Sequence, residues 1–181
     1  MGGKSKRPPI NIMPFQPDPQ TRLMQALEDV VVPATTGPFV VKDHFKKGAS
    51  VQFSTIWGEF RSRFFGKIEN PMPEVRMRKY KLLRLAPDGP IIAELGGESS
   101  VASSLSIAFA IMRCQANGEA GILQTNGFAN IFYAKDIPGE LCAIRIGWAS
   151  DGWVVDAIPV EDPLAWNGKH EIFCPAPLPK A

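Results

Sequence analysis

The chain has 181 residues, 45% of them hydrophobic and 21% charged, enough apolar material for one domain with a packed core. Its three cysteines, Cys114, Cys142 and Cys174, form no CxxC pair, so neither a secreted disulfide scaffold nor a zinc module is expected. Net charge is only +2, yet residues 1–84 carry 15 Lys/Arg against 7 Asp/Glu and residues 85–181 carry 5 against 11. Such asymmetry between halves hints at a basic contact surface unless the two halves neutralise each other on folding.

The basic start MGGKSKRPP has no apolar run behind it, and Lys6 stands where a myristoylation signal has Ser or Thr. The longest uncharged run is too short and too serine-rich to span a bilayer. The expectation is a cytoplasmic protein with no membrane partner. Residues 1–18 read as an extended arm: Lys4, Lys6 and Arg7 supply charge, and Pro8, Pro9, Pro14 and Pro17 prevent a regular helix. A single α+β domain is expected over 19–181.

Within it, Asp18-Pro19 is a good helix start. The spacing of Leu23, Ala26, Leu27 and Val30 predicts a helix over about 19–31, stopped by Pro33. Phe39 to Val41 reads as a short strand. Val51 and Phe53 alternate like another, and Ile56, Trp57, Phe60 and Phe64 predict a helix from about Thr55 to Phe65, closed by Gly66. EVRMRKYKLLRLAP is a strand whose lysines suit a sheet edge, and Ile91–Leu95 is a short strand or linker. Val101, Leu105, Ala108 and Met112 mark a nearly all-apolar central helix from about Ser99 to Asn117-Gly118, and Asn126-Gly127 predicts a hairpin. Beyond it, LCAIRIGW, a turn at Ser150-Asp151-Gly152, WVVDAIPV and His170–Cys174 extend the pattern. The expected fold is α+β: an antiparallel meander of about five C-terminal strands packed on the central apolar helix, two N-terminal helices, and the Pro-rich basic arm.

Candidate chemistry is sparse. His44 and His170 have no acidic cluster beside them, so no metal site is expected. His170 and Cys174, four apart on a strand, share a face but stand beyond hydrogen-bond reach. Gly96-Gly97 precedes a helix, yet neither GxGxxG nor GxxxxGK[ST] occurs, so no nucleotide cofactor is expected. Trp148 and Trp153 suit the core, and Trp166 suits either core or surface.

The strongest lead is basic. Arg61, Arg63, Lys67, Arg76, Arg78, Lys79, Lys81 and Arg84 face only Glu69 and Glu74 over residues 61–84, interleaved with Phe64, Phe65 and Tyr80. Cations neutralise phosphates and aromatics stack on bases. With Lys4, Lys6 and Arg7, these residues form the candidate anion contact of a non-enzymatic interaction protein docking on nucleic acid or a nucleoprotein assembly. One alternative is a structural subunit whose arm is held by a protein partner or a second copy. An enzyme of unassigned class is the other.

Thr125–Tyr133, Asp151-Gly152-Trp153, Val160-Glu161-Asp162-Pro163 with Trp166, and Val41–Phe45 resemble segments of a family of small, uncharacterised bacterial proteins. The likeness spans roughly residues 33–174 and implies no activity, site or mechanism.

Overall fold

The computed structural model describes residues 22–176, so residues 1–18, expected to form the arm, lie outside the described residues. Along the chain run β1 (Met24–Val32), β2 (Phe39–Val40), α1 (Val41–His44), β3 (Phe53–Ile56), α2 (Gly58–Phe64), β4 (Ile68–Glu69) and β5 (Val75–Leu82). Then come β6 (Ala86–Pro87), α3 (Asp88–Glu94), α4 (Glu98–Val101), α5 (Leu105–Arg113), β7 (Asn130–Lys135), β8 (Leu141–Ala149), β9 (Gly152–Pro159), β10 (Ala165–Trp166) and β11 (Glu171–Pro175).

The fold is a mixed seven-stranded sheet in the order β1-β5-β11-β7-β8-β9-β3. The expected antiparallel C-terminal meander on one central helix is therefore wrong. Only β7, β8 and β9 follow one another antiparallel, with β8 and β9 joined through the Ser150–Gly152 turn. The last strand, β11, returns between β7 and β5, parallel to the first and antiparallel to the second. β3 also lies parallel to its neighbour, β9.

Alternation along the strands builds two cores. Phe132, Ile144, Trp153 and Phe173 face one layer, with Phe60 and Phe64 of α2 and Leu105, Ala108 and Met112 of α5. Ile131, Tyr133, Ala143 and Ile172 face the other, with Ile91 of α3 and Val101 of α4. Central strands buried on both faces lose the polar alternation that betrays a half-exposed strand. Burying each such large apolar side chain contributes about 1.5–3 kcal/mol before entropy is counted.

Three further expectations fail for physical reasons. The predicted helix over 19–31 is strand β1, because a β-bulge between Ala26 and Asp29 inserts one residue against β5. Met24 then packs in one core and Val30 and Val32 in the other, whereas Ala26 of the expected helical stripe is exposed. The predicted central helix is two helices, since Ala102 bridges to Tyr133 and Ser103 donates its N–H to the Tyr133 carbonyl at 2.8 Å. That extended step carries the chain from the Val101 core to the Leu105 core. Asn126-Gly127 sits in a loop with no strand before it. Gln115 and Gln124 hold that loop, Gln115 exchanging bonds with Leu123 at 2.7 and 3.0 Å.

Ile91–Leu95 falls mainly in helix α3 rather than a strand, and β5 is second from the sheet edge, flanked by β1. The helix expected from Thr55 to Phe65 is present in part as α2, which begins only at Gly58 because Thr55 and Ile56 pair with β9. α5 ends at Arg113, short of the stop expected at Asn117-Gly118, where Gly118 takes φ +73°.

Candidate functional site

Folding disperses the predicted basic surface. Lys4, Lys6 and Arg7 lie outside the described residues. Arg63 reaches from α2 to Glu59 at 2.8 Å, Asp136 at 2.7 Å and Glu140 at 3.2 Å, and these bonds raise its already high pKa. Lys67 lies 3.7 Å from Glu69 and donates to the Lys135 carbonyl. On β5, Arg78 makes two hydrogen bonds to Asp29, at 2.7 and 3.0 Å. Lys79, only 7% exposed, meets Glu28 at 2.6 Å and Glu171 at 3.7 Å. Four of the expected contact residues are thus ion-paired within the domain, two of them with carboxylates of the adjacent β1.

The remainder do not converge. Arg61 is exposed on α2, its guanidinium 6.0 Å from the Phe65 ring centre. Arg76 and Lys81 are exposed at positions five apart on β5, hence on opposite faces of the sheet. Arg84 is exposed in the bend after that strand.

Cysteine and histidine chemistry also separates. Burial pushes the Cys142 thiol up to about 11 and Cys174 up to about 12, so neither offers a thiolate near neutrality. His170 accepts the Ala129 N–H at Nδ1 over 2.8 Å, and its ring packs edge-to-face on Trp166. Trp166 belongs to the core: its indole N–H donates to Asp88 Oδ1 at 2.8 Å. Tyr133 donates to the same oxygen at 2.6 Å, inside the α3 core. No group of three His, Cys, Asp or Glu among the described residues could hold a metal ion.

One cleft does gather polar groups. Its floor is the outer face of α5, where Ser106, Phe109, Ala110 and Arg113 recur at helical spacing. Its wall is the 33–38 loop, pinned by Thr35, whose N–H donates to the Met72 carbonyl and whose hydroxyl accepts the Met72 N–H, both at 2.9 Å. α1 closes one end with His44. Glu69, from β4, fixes the floor by accepting the Leu105 and Ser106 N–H groups at 2.9 and 2.8 Å. The cavity measures about 420 Å³. A second, of about 320 Å³, shares Ala34, Thr35, Ala110 and Arg113 with it and continues past Pro33 to Cys114.

The His44 ring is set by stacking. It lies 4.2 Å from Phe39 at an interplanar angle of 4° and 5.0 Å from Phe109 at 56°. Burial lowers its pKa, Asp43 opposes this, and the positive charges of Arg113 and Lys46 reinforce it. Asp43 is the strongest single charge acting on the ring, and the two cations oppose it. Arg113 is exposed and makes no ion pair among the described residues, and no carboxylate lines either cavity. The arrangement suits an anion, held between an imidazole edge and a guanidinium.

The sequence singles out His44 but not Arg113, and nothing in it joins the pair, which 69 positions separate. The available signal was the stripe of small and polar residues, Ser106 and Ala110, on the face of the helix that carries Arg113. Comparison with protein-family models, curated proteins and solved structures finds no match to this chain.

Proposed function

We propose that this is a non-enzymatic binding protein whose anionic partner docks in the cleft between α5 and the 33–38 loop. One observation carries the reading: His44 and Arg113 border one preformed cavity that, among the described residues, no carboxylate lines. Aromatic stacking already orients the imidazole, so little ordering entropy is lost on binding. The test is a titration of inorganic phosphate and acetate into the protein, followed by NMR at the His44 ring and the Arg113 side chain. Saturable shifts at both groups are expected, with affinity about tenfold weaker in Arg113→Gln, the scale of one charge-assisted hydrogen bond. Absence of saturable shifts, or equal affinity in the variant, overturns the reading.

A second reading, docking on nucleic acid, is favoured by the exposure of Arg61, Arg76 and Lys81, which make no ion pair among the described residues. A single-stranded oligonucleotide should then bind with an affinity that falls steeply with salt. The slope should lessen in the triple Arg61→Gln, Arg76→Gln, Lys81→Gln variant. No binding at low salt rules this version out.

A further inference from the structure

We infer that the ligand of this cleft is an amphiphilic anion: a carboxylate or phosphate-monoester head on an apolar tail. The inference rests on the anion-binding reading above and adds what the second cavity contributes. The two cavities differ in kind. The larger brings together His44, Thr35, Thr36 and Ser106, the polar end. The smaller is bordered by Pro33, Ala34, Ala110 and Cys114, which present carbon and one thiol. Arg113 borders both, as a residue whose aliphatic stem can flank a chain while its guanidinium meets the head.

Length follows from the helix floor. From Ser106 to Cys114 the chain advances eight residues, about 12 Å at 1.5 Å per residue. An extended chain advances ~3.5 Å per three bonds, so about ten bonds fit. That corresponds to a head group and a medium-length alkyl tail. Ala110 borders both cavities at the midpoint of that span.

The experiment is an affinity series of acetate, butanoate, hexanoate and octanoate, with octyl phosphate and octanol as companions, read by calorimetry and by the His44 ring shifts. Affinity should rise about fourfold per methylene along the series, as each buried CH2 contributes ~0.8 kcal/mol. Octyl phosphate should join octanoate, and octanol should bind at least tenfold more weakly. Cys114→Phe, at a residue that borders only the smaller cavity, should flatten the series while leaving the acetate response at His44 in place. That retained response also shows that the variant is folded. A flat series in the native chain, with acetate and phosphate still shifting His44, overturns the tail and keeps the anion site. Octanol binding as well as octanoate overturns the requirement for an anionic head. No response to any member overturns the anion site itself.

Discussion

Asp88 is 0% exposed and accepts hydrogen bonds from Tyr133 and Trp166 at one carboxyl oxygen, while Oδ2 has no partner. Burial raises its pKa, and the two hydrogen bonds only partly offset this. For an acid whose folded pKa is raised, the stabilising contribution is complete below the unfolded value, near 3.9. It is lost as pH climbs through the folded value. Asp88→Asn, which keeps the shape and cannot ionise, should therefore flatten the part of the stability profile that falls from about pH 4 upward. Urea unfolding at several pH values measures this, and an unchanged profile counts against it. His170 works with the opposite sign. Burial lowers its pKa, so its contribution is present above the unfolded value of about 6.5 and is lost as pH falls below it. Protonating Nδ1 also breaks the bond from Ala129. His170→Gln should make the protein less sensitive to acid as pH falls below about 6.5, seen as a smaller drop in melting temperature.

Helix α5 depends on a cap from far along the chain. Ser104 occupies its N-cap position yet makes no side-chain cap bond, and Glu69 accepts two first-turn N–H groups instead. The positive end of the helix favours that carboxylate, whose own burial would otherwise cost heavily. Glu69→Ala should lower stability by about 1–2 kcal/mol, the cost of a lost cap. Because this helix is the floor of the cleft, the same variant should also broaden the Arg113 resonances. Strand β1 shows a different dependence. Its Glu28 and Asp29 sit at the bulge and meet Lys79 and Arg78 of β5, so an edge strand acquires charge that discourages pairing with another chain.

Across the whole molecule, the two halves of the charge pattern meet where Arg63 of α2 pairs with Asp136 and Glu140 and Lys79 of β5 lies near Glu171, while acids of β1 pair with β5 within the basic half itself. No helix among the described residues is long and apolar enough to cross a membrane. The sheet is most protected at its centre, where Phe132 of β7 stacks on Phe173 of β11 at 4.7 Å. Hydrogen exchange should be slowest at the amides of Phe132, Phe173 and Ile144, and faster at β1 and β3 on the two edges. Edge amides exchanging as slowly as the centre would point to a partner covering them.

What the residues determine locally was legible. Gly118 takes the left-handed conformation expected of it, although α5 ends earlier, at Arg113, and a Cβ at Gly118 would lie 2.3 Å from the Trp148 ring. Helix α2, the Ser150–Gly152 turn, strand β5 and the burial of Trp153 follow equally from short-range pattern. Only the tertiary structure decided the rest, because it turns on pairing between distant segments. The β1 bulge converts a helical stripe into a strand, Tyr133 breaks the central helix, and β11 intervenes between β5 and β7. The same holds for the candidate site. Whether a lysine faces solvent or a carboxylate depends on strand register, which put Lys79 beside Glu28, and the packing of α5 against the 33–38 loop and α1 brought Arg113 and His44 to the border of one cleft.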